Sequence, residues 1–429
     1  MVVVIMRKIE LFILLSKIIR EKLKAGNIKL CASINKNNFT RKRKLPLELL
    51  ALQILTMIRL PLQLSTDEVY EALGKKEDTV SKQAVSKART NLNPEYIKEF
   101  FIETAKPMGK CKDIKLWNNK YRLCAIDGSD IALDNASELK NHFGCSGRTK
   151  NATTALASVA HDPLNEWILD GSLNPYGTNE RDAAKANISA VCELPLRFRV
   201  KNLFIMDRGY PSKEFIAWLS DNKHKFLMRV RNKFSSDIDF AESNGIVSLT
   251  WESKTYSVRA IKVKLDTGEI ETLITNLKKN ELNSEDAGAL YFKRWDIETK
   301  FNSLKNKLQL GNFSGRRVVT VMQDFYATLC MANYINSVRF QTDAVIAEAS
   351  ADKNNMHNQT TNENRLINKC RKKLIRALTA NSDSERTKIF EELVSDIVSK
   401  PVELKPNRKN PPHSVPRKMK FHDRYKSVI

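Results

Sequence analysis

Long apolar runs are missing from this 429-residue chain. Its most hydrophobic opening stretch, MVVVIMRKIELFILLSKIIREKL, is interrupted by charge every few positions. Nothing in it approaches the roughly 18 apolar residues of a membrane-spanning helix. No small-residue cleavage site follows it, as one would after a secretory signal. A cytoplasmic protein without a membrane partner is expected. Cysteine is scarce as well: Cys31, Cys111, Cys124, Cys145, Cys192, Cys330 and Cys370 are odd in number, scattered, and form no CxxC pair. That disfavours both a disulfide framework and a cysteine-type zinc site. Histidine occurs six times. Acidic residues are outnumbered, and the excess of Lys and Arg over Asp and Glu is 72 − 49 = 23 positive charges. Such a surplus favours a polyanionic partner, nucleic acid foremost.

What is present is a chain with a 42% hydrophobic content, long enough for two or three domains. Residues 1–112 read as helical. LPLELLALQILTMIRLPL is apolar and rich in helix formers, and STDEVYEAL opens with Ser65 and Thr66 as candidate N-caps. SKQAVSKARTNL is basic, with Ala84, Val85 and Ala88 as its packing side. It is either a recognition helix on DNA or a helix with a solvated basic face. From about residue 119 the period changes. YRLCAIDGSDIALD reads as strand, tight turn, strand; TTALASVAHD and EWILDGSLN as strands; NERDAAKANISAVCEL as a helix capped by Asn179. LFIMD is a short buried strand, PSKEFIAWLSDN a helix with proline in its first turn, and HKFLMRVR a further strand. This succession predicts a mixed α/β layer fold. Residues 231–280 read as added β structure with Gly245 and Gly268 in turns, and another helix starts near Ser284. Residues 341–429 read as a polar helical region ending in a proline-rich basic tail.

The candidate chemistry lies at three acids. On a continuous helix, at about 100° per residue, Tyr291, Arg294, Glu298 and Lys305 share one narrow stripe. It borders the core face of Leu290, Ile297, Phe301, Leu304 and Leu308. Such a row is most often a solvated ion-pair network. Two further acids follow wholly apolar segments: Asp127 after LCAI, before Gly128-Ser129, and Asp207 after LFIM, before Arg208-Gly209-Tyr210. A lone acid at a strand end is usually a turn former. Yet open α/β sheets place ligand sites at strand ends, and carboxylate oxygens converging there suit Mg²⁺ or Mn²⁺.

DGS at 127, DRGY at 207 and the spacing Y-x2-R-x3-E-x6-K over Tyr291, Arg294, Glu298 and Lys305 resemble the DDE transposases of the insertion sequence four type. The gaps fit: 207 − 127 = 80 and 298 − 207 = 91 residues. FTRKRKLPLELLALQIL and SKQAVSKARTNL are similar to that family's N-terminal region. The resemblance implies a ribonuclease-H-like catalytic domain over 113–340, with 231–280 as its β insertion. A helical DNA-binding region (1–112) would precede it and a helical, basic C-terminal region (341–429) would follow. It implies that Asp127, Asp207 and Glu298 are catalytic and hold two Mg²⁺ or Mn²⁺ ions, and that Tyr291, Arg294 and Lys305 grip DNA phosphates. Ser129, Asp130 and Arg208 would adjoin the acids, and an exposed Trp295, or Trp251, could stack on a base. Cut-and-paste transposition would follow: binding of terminal inverted repeats, pairing of two ends by a homodimer, 3′-end cleavage, a hairpin for the second strand, and joining to double-stranded target DNA. Two rivals are a transposase-derived DNA-binding protein without activity and a metal nuclease that cuts without joining.

From the charge alone, duplex binding should weaken steeply with salt. The logarithm of the association constant should fall by about 0.9 per phosphate contact for each unit of log salt. Fluorescence anisotropy between low and physiological salt tests this, and a flat dependence contradicts it.

Overall fold

The computed structural model describes residues 2–25, 32–35, 38–40, 43–57, 60–147, 152–265, 267–351 and 359–403. The expected basic tail lies outside them. Contacts group the chain into two compact units. The first comprises Met1–Pro107, Ala132–Thr154 and Ser303–Ile429, the second Met108–Ile131 and Ala155–Asn302. They do not follow the chain-order division 1–112, 113–340 and 341–429. The helical unit recruits segments from the middle and end of the chain, because its longest helix lies near the C-terminal side.

That helix, Val318–Ala351, has 34 residues. It buries Val321, Phe325, Leu329, Cys330, Tyr334 and Val338. A helix apolar on several sides must be covered on several sides, and here the helices Val2–Lys24, Leu47–Thr56 and Pro94–Ala105 cover it. Phe12 packs on Tyr334 and Phe390 at ring-centroid distances of 5.3 and 5.0 Å. Ser65 and Thr66 do not cap a helix start. They are buried inside the helix Leu62–Ala72, which begins after Pro61, and the Thr66 hydroxyl bonds the Leu62 carbonyl instead.

The basic helix over Lys82–Arg89 forms as expected, with the Ser81 hydroxyl accepting from the Ala84 N–H. Its packing face differs. Val85 is buried, but Ala84 is exposed, and the second buried residue is Arg89. The Arg89 guanidinium donates to Asp324 at 2.7 Å, to Gln323 at 3.0 Å and to the Thr320 carbonyl at 3.1 Å. This arginine is committed to the unit's interior. No helix among the described residues is long and apolar enough to cross a membrane.

The second unit is built on a mixed sheet. Its strands are β1 (Tyr121–Ala132), β3 (Ala152–Asp162), β4 (Trp167–Pro175), β5 (Lys201–Met206), β6 (Lys225–Arg229), β7 (Asn244–Trp251), β8 (Lys254–Lys264) and β9 (Ile270–Thr275), while the short β2 (Cys145–Ser146) pairs with the start of β3. The order runs β3-β1-β5-β6-β9-β8-β7, with β4 antiparallel to β3. β1, β5 and β6 are parallel. The expected added β structure is thus a continuation of the same sheet through β9.

Alternation along these strands decides what each face carries. Tyr121 and Leu123 of β1, Leu203 and Ile205 of β5, and Leu227 of β6 pack with Ala287, Leu290 and Tyr291 of the helix Ser284–Phe292. Residues of the opposite parity, such as Arg122, face the helix Glu180–Glu193, and Arg122 donates to its Val191 carbonyl at 3.2 Å. Asn179 caps that helix as expected. In the helix Lys213–Asp221 the cap is Ser212, so Pro211 precedes the first turn rather than forming it.

Arg89→Ala should leave Asp324 buried without its cation and cost about 3–5 kcal/mol. Denaturant unfolding measures it, with exposed Lys87→Ala as the reference. A loss below about 1 kcal/mol contradicts the anchoring role.

Candidate active site

Asp127 does not sit in a turn. β1 runs unbroken through Asp127-Gly128-Ser129, because pairing with β3 continues past the acid: the Leu133 N–H donates to the Thr153 carbonyl at 2.9 Å. What ends near Asp127 is the pairing with β5, last matched at Ala125↔Ile205. Two residues further along the same register, Asp127 stands beside Asp207, which follows β5 directly. Both continue the face that carries Leu123 and Ile205, the face covered by the helix Ser284–Phe292. Neighbouring strands lie about 4.8 Å apart, so parallel pairing brings the two carboxylates together.

Each acid is held by the backbone just after it. The Gly128 N–H donates to Asp127 Oδ1 at 2.9 Å, and the Gly209 N–H to Asp207 Oδ1 at 2.7 Å. A Cβ on Gly209 would stand 3.0 Å from that same oxygen. Burial, and then the charge of Asp207, push the Asp127 carboxyl from the usual carboxylate range up to about 7. The Gly128 N–H and Arg294 pull it down, and Glu298 pushes it up. Asp207 and Glu298 therefore both act electrostatically on Asp127.

Of the stripe expected on the third element, Tyr291, Arg294 and Glu298 stay together, though not on one straight helix. The first segment ends at Phe292 and a second spans Trp295–Asn302, with Lys293 and Arg294 between them in a turn. The Arg294 N–H bonds the Tyr291 carbonyl at 2.9 Å, a tighter i→i−3 closure. Arg294 still donates to Glu298 Oε1 at 2.9 Å, and its Cζ lies 5.9 Å from the Tyr291 ring centroid. Arg294 is buried, and its Nε makes no hydrogen bond. Burial, and then the charge of Asp207, push the buried Tyr291 hydroxyl up to about 12, while Arg294 pulls it down. Lys305 falls in a π-helical turn, Ser303–Lys307, which belongs to the first unit. Trp295 is half exposed, its ring 5.0 Å beneath Arg294 Cζ; Trp251 ends β7 and is partly buried.

Among the described residues, no group of three or more His, Cys, Asp or Glu side chains is gathered closely enough to enclose a metal ion. Glu298 is turned to Arg294 instead. The donor chemistry nevertheless suits a hard divalent cation: two carboxylates on adjacent strands, a third within electrostatic reach, and no soft ligand among them.

Two residues not singled out in the sequence stand at the same place. Glu180 opens the helix Glu180–Glu193, where an acid reads as an ordinary partner of the helix dipole. A Cβ on Gly128 would meet Glu180 Cδ at 3.4 Å. Tyr210, in the DRGY segment, is 1% exposed and its hydroxyl makes no hydrogen bond.

An acid pair at the ends of paired parallel strands, with an arginine–glutamate pair in the turn and helix that follow the covering helix, gives a mixed α/β protein with an acidic centre. The chain belongs to the transposase DDE domain family, whose model matches residues 118–334, about half of its length. No curated protein matches it. Among solved structures it is similar to a piggyBac transposase synaptic complex with hairpin DNA, determined by cryo-EM. Identity is 7%, coverage is 89% of this chain and 85% of that one, and the TM-score is 0.44.

Because Asp127 is more readily protonated when folded than when unfolded, the folded chain binds the extra proton between about pH 4 and 7. Its burial therefore costs stability only as pH rises through that window. Asp127→Asn should be more stable than the parent at pH 8, by on the order of a few kcal/mol at most, and equal to it at pH 4. Thermal unfolding at both pH values checks this; a pH-independent difference contradicts it.

Proposed function

We propose that the chain is a DDE transposase that performs cut-and-paste transposition of an insertion sequence, with Asp127, Asp207 and Glu298 as its catalytic acids. One observation carries the reading. The register Ala125↔Ile205 sets Asp127 and Asp207 side by side on one face, with Glu298 close enough for its charge to act on Asp127. Strand β1 beside β3, β4 antiparallel to β3, and β5 and β6 parallel to β1 with helices between them support a ribonuclease-H-like core in the second unit.

Asp127 and Asp207 would hold divalent cations, Mg²⁺ or Mn²⁺, and Glu298 would join them on leaving Arg294. Bound there, two such ions would activate water or a 3′-hydroxyl and stabilise the leaving oxygen. Arg294, freed from Glu298, has a fork of donors matched to phosphate. Its Nε already lacks a partner. Tyr291 walls the same position and keeps its hydroxyl protonated. Lys305 would contact phosphate as well. The partners would be terminal inverted repeats and target DNA, bound by a homodimer that pairs two ends in the cytoplasm, with hairpin formation opening the second strand. A surplus of 23 positive charges suits that polyanion. The 2.9 Å Arg294–Glu298 pair also fits the rival reading, a DNA-binding derivative whose third acid never reaches a metal.

The test is an in vitro cleavage assay on candidate element ends, read on a denaturing gel. The purified chain should nick 3′ ends in Mg²⁺ or Mn²⁺. Asp207→Ala should reduce nicking to background while retaining the end probe. Binding without any nick, or undiminished nicking by Asp207→Ala, contradicts the reading.

A further inference from the structure

We infer that the loop 194–200, with its neighbour 108–113, is a second contact surface for duplex DNA, in which the Phe198 ring wedges between base pairs of the minor groove while the cations around it take phosphates. The inference rests on the DNA partner proposed above, not on the cleavage chemistry, and names residues outside the acid centre. Three observations carry it. First, Phe198 is 88% exposed, and Arg199 holds its guanidinium 5.2 Å from the ring centroid. Arg197, Arg199 and Lys201, and Lys110 and Lys112 on the neighbouring segment, are exposed too. Two acids, Asp113 and Glu193, stand against these five cations over 108–113 and 193–201. A single exposed apolar side chain is ordinary. One set among cations combines the two chemistries of a minor-groove surface: an apolar wedge and flanking positive charge. Phe240 is the contrasting case: it is 87% exposed, but Asp237, Asp239 and Glu242 accompany it, and they would repel phosphate.

Second, the loop is anchored. A Cβ at Gly109 would stand 2.0 Å from the Pro195 carbonyl oxygen, so glycine at 109 lets the two segments pack backbone to backbone. The Arg197 N–H donates to the Gly109 carbonyl at 3.1 Å, and the Arg197 guanidinium to the Lys112 carbonyl at 3.1 Å. Phe198 is thus presented from a fixed support, which lowers the cost of ordering it on a partner. Third, the loop lies at the far end of β5 from the acids. Lys201 opens β5 and Asp207 follows its last residue. Six steps along a strand cover about 20 Å, or about six base pairs of duplex at roughly 3.4 Å each. One phosphate cannot reach both places, so this surface meets a different stretch of DNA from the one at the acids.

The experiment is a fluorescence titration of the full chain, in EDTA so that no cleavage competes. The probe is an A·T-rich duplex without element-end sequence, carrying 2-aminopurine at a readily unstacked TA step. The parent is compared with Phe198→Ala, Phe198→Leu, Arg199→Ala and Phe240→Ala. The parent should bind and raise the 2-aminopurine emission. Phe198→Ala should bind about tenfold more weakly, with the salt slope unchanged and the emission rise lost. Phe198→Leu keeps an apolar wedge and should retain most of both. Arg199→Ala should make the slope of log association constant against log salt shallower by about 0.9. Phe240→Ala should match the parent, as should the circular dichroism of Phe198→Ala. If Phe198→Ala or Arg199→Ala binds as the parent does, or Phe240→Ala loses as much as Phe198→Ala, this surface is overturned while a DNA partner stands. If Phe198→Ala changes the sedimentation coefficient but not DNA binding, the loop serves a second copy of the chain, and the inference is likewise overturned. If the parent binds no duplex, the DNA-partner reading fails and the inference with it.

Discussion

The pairing of β1 with β5 forces two carboxylates into a confrontation that the fold cannot relax. Ala125 opposite Ile205 fixes the register, and a slip by one residue would turn every apolar side chain of β1 to the wrong face. Asp127 and Asp207 therefore remain side by side despite their repulsion, which burial strengthens by removing water. The surroundings soften it in small ways: an N–H from Gly128 on one acid, an N–H from Gly209 on the other, and the field of Arg294. None of these neutralises the pair. Protonation relieves the rest, with the Asp127 carboxyl pushed up to about 7, and in the function proposed above a cation would take the place of that proton.

Much of this could be read from the residues. From Ala152 to Arg229 the order of strands and helices follows directly from apolar runs and caps, while the helix Ser137–Phe143 and the short β2 before them had no such reading. Asp207 lies at a strand end, as LFIM followed by Arg-Gly-Tyr suggested. Other features needed the tertiary partner. Gly128-Ser129 has the composition of a turn, but β3 keeps β1 extended there, and no local signal reports that neighbour. The wheel over Tyr291–Lys305 assumed one uniform helix. The turn at Lys293–Arg294 and the π-helical turn at Ser303–Lys307 break the geometry while keeping Tyr291, Arg294 and Glu298 together. Glu180 was invisible because a glutamate after an Asn cap has a sufficient local explanation. It lies beside the space a Cβ at Gly128 would fill, 180 − 128 = 52 positions away.

The first unit illustrates how charge composition and charge placement differ. The surplus of lysine and arginine is a property of the whole chain. Arg89, the last residue of the most basic-looking helix, contributes nothing to its outer face, since it is spent on Asp324, Gln323 and a backbone carbonyl. Removing one cation from the list of candidate DNA contacts leaves the others in place. It also ties that helix firmly to the Val318–Ala351 helix, so the remaining basic side chains would be presented from a rigid support.

The claim at the centre of this account is that Asp127 and Asp207 share a divalent cation that Glu298 joins on leaving Arg294. Anomalous diffraction from crystals grown with Mn²⁺ and an element-end DNA examines it directly. The account predicts a Mn²⁺ peak about 2.1 Å from carboxylate oxygens of both Asp127 and Asp207, with Glu298 turned inward. Mn²⁺ bound elsewhere, or Asp127 and Asp207 bare in a DNA complex with Glu298 still paired to Arg294, would contradict it.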